Sequence, residues 1–296
     1  MFTQIVAVVT PIFLITAIGY LWAKRGQPFD NATISALVMY VGTPALVFHS
    51  LTSLRPELPE LSQLGLATVG VIVLCLVLGY IGLRATNMSR QAFLPSLFQA
   101  NAGNMGVPLV MLTFGDAGLA LGIVVFFVHA LSQNTLGLGV SSGSLKPATL
   151  LQQPIVWSVV LATLVLVIDV PVPEWLGNTT RLLGGLLIPA MLLMLGTSLV
   201  RLSVHDLPQA LALAIARLLL GMGAALCMIW LFELQGVAAG VLFLQASMPV
   251  AVFNFVFADR FERSPEQVAA AVLVSTLLGM ATLPLLVAGS LYLAGG

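Results

Sequence analysis

Ten runs of mainly apolar residues, at roughly 4–22, 32–51, 63–83, 92–113, 118–138, 154–170, 180–200, 208–232, 237–258 and 267–293, take up most of the chain. Each is close to the ~20 residues that carry an α-helix across ~30 Å of hydrocarbon. Within a bilayer every backbone N–H and C=O must be paired inside the protein, and a helix meets that demand from its own segment. The balance of residues agrees: 59% are hydrophobic, 7% are charged and mean hydropathy is +1.07, more apolar surface than a water-soluble domain can hide. An all-α membrane protein with ten transmembrane helices, held in the cell inner membrane, is therefore expected. Eleven basic and eleven acidic residues cancel, which excludes a basic footprint for nucleic acid. No Lys or Arg precedes the first run, so it reads as a retained span, not a cleaved signal. Cys75 and Cys227 fall inside apolar runs without ligand spacing and read as small buried hydrophobes.

Two of the runs are broken. Asn101-Ala-Gly-Asn-Met-Gly-Val-Pro108 and Gln245-Ala-Ser-Met-Pro249 place amides, glycines and prolines where hydrocarbon is expected. Proline and glycine release backbone groups from a helix, and the released groups need a cavity or a protein partner. Aligning Gln99-Ala-Asn101 on Gln245-Ala-Ser247 gives a separation of 146 residues, and Pro44-Ala45 and Pro189-Ala190 are 145 apart. Interruptions at matching places in two halves point to a transporter binding site. An odd five spans per half means that the second half enters the membrane upside down. The predicted architecture is two inverted five-helix repeats, 1–140 and 150–296, joined by the serine- and glycine-rich loop from Val140 to Pro147, with broken helices four and nine crossing.

Charge placement orients the chain. Lys24, Arg25, Arg84, Arg90, Lys146, Arg201, Arg260 and Arg263 follow odd-numbered spans, while Arg55 and Arg181 lie near the opposite side. The positive-inside rule makes the odd loops cytoplasmic and leaves both termini outside. Helix starts are marked at Ser264-Pro265-Glu266-Gln267, a capping-box arrangement, and at Asp206 ahead of Pro208. Trp22, Trp157, Trp175 and Trp230 lie near span ends and read as interfacial anchors.

Arg217 is the one strongly charged residue well inside a span, nine residues beyond Pro208 and so ~13 Å deep. Two roles suit it: compensation of the carbonyl ends of broken half-helices, favoured here, or a clamp on a carboxylate. His49 and His129 read as hydrogen-bonded packing residues, although histidine can carry a proton near neutral pH. Every Asp and Glu sits in a loop or at a span end, so carboxylate-based proton exchange lacks its usual residue. Sodium can still be held by carbonyls and amides freed at the breaks; no other cofactor or metal is indicated. No His-Glu-x-x-His, no Gly-x-Ser-x-Gly and no intramembrane aspartate pair is present, so no catalytic residue and no enzyme is expected.

Asn101-x-Gly-Asn-x-Gly-x-Pro108, Met248-Pro249-x-Ala251-x-x-Asn254 and Thr43-Pro44-Ala45-Leu46-x-Phe48-His49 resemble the auxin efflux carrier family, which holds plant auxin exporters and bacterial organic-acid permeases. The resemblance spans essentially the whole chain, without the long central loop of many plant members. It implies a homodimer whose spans one, two, six and seven form a scaffold, with spans three to five and eight to ten as a moving transport domain. It further implies a substrate cavity lined by Asn101, Asn104, Pro108, Gln245, Ser247, Pro249 and Asn254, with Pro44 and Pro189 facing it from the scaffold. The expected function is a secondary transporter moving a small organic anion, most simply a carboxylate, by alternating access. A sodium-coupled symporter of an organic solute and a channel are the alternatives.

Overall fold

A computed structural model describes residues 2–55, 57–144, 152–201 and 206–295. Lys146, and the stretch of the expected Val140–Pro147 joint beyond residue 144, lie outside the described residues, as does the Arg201 side chain. The described chain is helical: α1 (Phe2–Lys24), α2 (Asn31–Leu37), α3 (Thr43–Leu54), α4 (Leu58–Ala85), α5 (Arg90–Phe98), α6 (Val107–Ser132), α7 (Leu138–Ser142), α8 (Pro154–Ile168), α9 (Glu174–Gly185), α10 (Leu187–Arg201), α11 (Leu207–Leu231), α12 (Gly236–Ala246), α13 (Phe253–Arg260) and α14 (Pro265–Gly295). Three π-helical turns, Val38–Gly42, Ala102–Gly106 and Gln133–Gly137, interrupt the α-helical register.

Among the described residues, seven helical stretches are long and apolar enough to cross a membrane, and Pro154–Ile168 and Gly236–Ala246 are shorter apolar helices. The chain is thus a multi-pass membrane protein. One of the seven, Ala102–Ser142, has 41 residues, about 60 Å at helical rise and twice the hydrocarbon thickness. It is divided at Gly115, whose φ of 65° and ψ of −153° leave the helix. This is the gap that the apolar pattern shows at 114–117. A Cβ at Gly115 meets nothing within 4 Å, so the requirement for glycine is purely one of backbone conformation. Gly115→Ala is expected to destabilise the protein by about 1–3 kcal/mol, read as a lower Tm of the detergent-solubilised protein.

Helix starts follow local chemistry. The Asp206 carboxylate accepts from the Gln209 N–H at 3.3 Å ahead of α11, as the sequence predicts. Asp30 caps α2 by accepting from the Ala32 N–H at 3.0 Å. Helix α14 begins at Pro265, where the Val268 N–H donates to the Ser264 carbonyl. The seventh apolar run was expected to begin near residue 180, but α9 starts at Glu174; an acidic residue in a first turn complements the helix dipole. Cys75 is buried as expected, whereas Cys227, on α11, is exposed.

Buried apolar side chains form two main clusters. The larger joins α4, α5, α6, α11, α12 and α14 around Phe98, Leu109, Leu242 and Val287, and takes in Val8 and Ile12 of α1 and Leu192 and Leu195 of α10. A smaller one joins α3, α8 and α10 around Val47, Leu51, Ala162 and Leu187, and takes in Val107, Leu119 and Ile123 of α6; α1 lies along α10. Arg55 and Asp169, each in the left-handed region at the C-cap of α3 and α8, form an ion pair that ties those helix ends together.

Candidate functional site

The two broken stretches meet. Beyond α5 the chain runs extended through Gln99, Ala100 and Asn101 before turning into the π turn at Ala102; beyond α12 it passes through Ser247 to Ala251 before α13. Ala100 and Val250 form an isolated antiparallel bridge. Its bonds run from the Asn101 N–H to the Pro249 carbonyl at 2.8 Å and from the Ala251 N–H to the Gln99 carbonyl at 3.1 Å. Backbone groups that hydrocarbon would have left unpaired are thereby paired with each other. Side chains reinforce the join: the Ser275 hydroxyl accepts from the Val250 N–H at 3.1 Å, Gln245 Nε2 donates to the Ala102 carbonyl at 3.1 Å, and Gln99 Nε2 donates to Ser132 Oγ at 2.8 Å.

Four half-helix ends converge there, and the protein treats the two kinds differently. The C-terminal ends of α5 and α12 present carbonyls, the negative pole of a helix. Arg217, 0% exposed on α11, reaches them: Nη1 donates to the Leu97 carbonyl at 2.9 Å, Nη2 to that of Ala246 at 2.6 Å and Nε to that of Met248 at 3.3 Å. Helix α11 lies against this end, for a Cβ on Gly221 would fall 2.1 Å from the Ala246 oxygen. The N-terminal ends, at Asn101–Asn104 and at Ala251–Phe253, instead line a cavity of about 870 Å³, its open mouth included.

Helices from several parts of the chain line the cavity. Ser35, Thr43, Pro154 and Met191 contribute from α2, α3, α8 and α10, while Asn101, Asn104, Phe126, His129 and Val252 contribute from the broken stretches and α6. All three π turns reach it, through Val38 and Met39, through Gly103 and Asn104, and through Gln133 and Asn134. Such turns are frequent at functional sites because they turn side chains out of the α-helical register. No Lys, Arg, Asp or Glu is among the lining residues, and the described residues include no group of three or more His, Cys, Asp or Glu placed to hold a metal ion.

Of the residues singled out from the sequence, Asn101 and Asn104 stand in the wall. Gln245, Ser247 and Pro249 lie at the crossing but behind it: Gln245 is bonded to Ala102, the Ser247 hydroxyl donates to the Phe243 carbonyl at 2.6 Å, and Pro249 lies against Gly279. Pro108 is buried in the first turn of α6. Asn254 is buried one residue past the lining Phe253, with neither amide atom partnered in the protein. Pro44 and Pro189 flank the wall without joining it; their neighbours Thr43 and Met191 do. His129 is the clearest departure from expectation. It is 3% exposed and lines the cavity, yet neither ring nitrogen has a hydrogen-bond partner, so it is not the hydrogen-bonded packing residue the sequence suggested. His49 does contact Ser53 Oγ, through Nδ1 at 3.3 Å.

Comparison with known proteins shows the family. The model of the family described as membrane transport protein matches residues 4–138 and 140–287. An uncharacterized transporter of Methanothermobacter thermautotrophicus is 26% identical over 297 residues, covering 94% of this chain and 95% of its own length. These are transport proteins, not enzymes. On the extent of that match the chain belongs to the membrane transport protein family, which is the auxin efflux carrier family.

Proposed function

We propose that the protein is a ten-span secondary carrier that moves a small organic anion, a carboxylate, across the cytoplasmic membrane by alternating access. The observation that carries this reading is the sorting of helix poles: two N-terminal, positive ends face one cavity whose side chains bear no formal charge, while both negative ends are bonded to Arg217. Each helix N-terminus is equivalent to roughly half a positive charge, which favours an anion between them. Arg217, with Nε, Nη1 and Nη2 all donating to carbonyls, serves in this reading as compensation and not as the anion's clamp.

The remaining features of the proposal have their own support. Ten spans follow if α5 with the helix up to Gly115, α8, and α12 with α13 each cross once. An inverted repeat is supported by exchanged packing, α1 against α10 and α8 against α3. The Cys75 thiol also donates to the Leu220 carbonyl at 3.5 Å across the 145-residue spacing of the repeat. Alternating access is supported by the cavity's place between the group formed by α1–α3 and α8–α10, taken as scaffold, and the group formed by α4–α7 and α11–α14, taken as transport domain. External termini rest on the placement of basic residues, and a homodimer on the family.

Reconstituted protein should show saturable uptake and counterflow of a carboxylate, and purified protein should be stabilised thermally by carboxylates. Stabilisation by neutral or cationic solutes alone would overturn the anion reading; conductance beyond carrier turnover would make it a channel, and a strict sodium requirement a symporter. Asn101 Nδ2 is buried in the wall with no protein partner. Asn101→Ala should therefore leave folded yield intact while reducing carboxylate transport by about ten-fold or more, the worth of one hydrogen bond to a charged group. Unchanged uptake would remove Asn101 from the binding site.

A further inference from the structure

We propose that His129 is a substrate-contacting residue that sets specificity: beside the Asn101 amide, its ring N–H donates to the carboxylate of the transported anion. This rests on the carboxylate reading above and deepens it. Burying a polar ring without a partner is unfavourable, and a histidine kept for packing would satisfy at least one nitrogen within the protein. His129 satisfies neither, although it is 3% exposed on the second half of α6, four residues before the π turn that begins at Gln133. Asn101 Nδ2, 4% exposed in the same wall, is likewise without a partner. Two residues that carry buried, unspent donors therefore line one cavity from two different elements. Whichever tautomer the ring adopts, one nitrogen carries an N–H. No Lys or Arg lines the wall and the nearby guanidinium is bonded to backbone carbonyls, so a carboxylate entering here is held by side-chain donors and helix N-termini. An isosteric carboxamide offers one oxygen in place of two and no charge, and is bound more weakly.

The test compares wild type, His129→Phe and His129→Leu as purified full-length proteins. Thermal-shift titrations with lactate against lactamide, and benzoate against benzamide, give apparent affinity and the acid-over-amide preference. Because the imidazole bonds to nothing in the protein, the unliganded variants should melt at or above the wild-type Tm. Their apparent affinity for the acids should fall by about ten-fold or more, with the amides little changed, so that the preference collapses. Either variant decides the matter if the other does not fold. Retained acid-over-amide preference in a folded variant, or a steep loss of unliganded Tm in both, overturns the role of His129. Wild type stabilised by neither acid is a separate result: the carboxylate reading itself then fails, and this assignment with it.

Discussion

Arg217→Met is expected to lower the stability of the unliganded protein by about 3–5 kcal/mol, the range seen when one partner of a buried charged interaction is removed. In a helical protein of this size that is a fall in Tm of roughly 10 °C, with a matching collapse of folded yield. Methionine keeps the length and flexibility of the arginine stem, so the loss is electrostatic and not a matter of volume. Two helix C-termini meet beside Arg217, each equivalent to roughly half a negative charge, and together they come close to the one positive charge of the guanidinium. Without it the carbonyls of Leu97, Ala246 and Met248 face one another with no donor between them. Arg217→Lys should lie between the two, since an ammonium supplies the charge but not a planar fork able to reach carbonyls on two separate half-helices. A methionine variant that keeps its Tm and loses only carboxylate stabilisation would make Arg217 an anion ligand and refute the compensating role.

How much of this was legible from sequence depends on what each residue had to disclose. The breaks were readable because glycine, proline and asparagine are conspicuous in an apolar run, and their 146-residue spacing predicted that they would be found together. Both alternatives for Arg217 were readable, since depth alone demands a partner, but the identity of the partner required the fold. The wall was only partly readable. A helix turns ~100° per residue, so a motif can name the right stretch and the wrong face: Pro44 gives way to Thr43, Pro189 to Met191, and Asn254 to Phe253. Ser35, Gln133, Asn134 and Gln153 also line the cavity, yet in sequence they look like the single polar residues that bond neighbouring membrane helices. The π turns add to the difficulty by shifting register where nothing in composition announces it. For His129, sequence could show an imidazole in an apolar helix but could not count its partners.

The seam between α1 and α10 was invisible from sequence for a different reason, because its two determinants are single glycines far apart in the chain. A Cβ on Gly196 would lie 2.0 Å from the Thr16 carbonyl oxygen and 2.7 Å from the Tyr20 nitrogen, and one on Gly19 would lie 2.3 Å from the Leu193 oxygen. All three obstacles are backbone, so no rotamer change relieves them; the helices themselves must part. Membrane helices draw much of their association from such close approach, since lipid supplies no hydrophobic drive. Gly196→Ala is therefore expected to cost about 3 kcal/mol, the upper part of the usual range for overpacking, and Gly19→Ala slightly less, both read as lowered Tm. The double variant is the sharper measurement. A single separation of α1 from α10 makes room for both methyl groups, so the combined loss should fall short of the sum of the two by 1 kcal/mol or so, a coupling of the size neighbouring residues show. Fully additive losses would mean that the helices yield locally at each glycine, and the seam would then not be the rigid part of the proposed scaffold on which Met191 and Met194 of α10 are carried into the cavity wall.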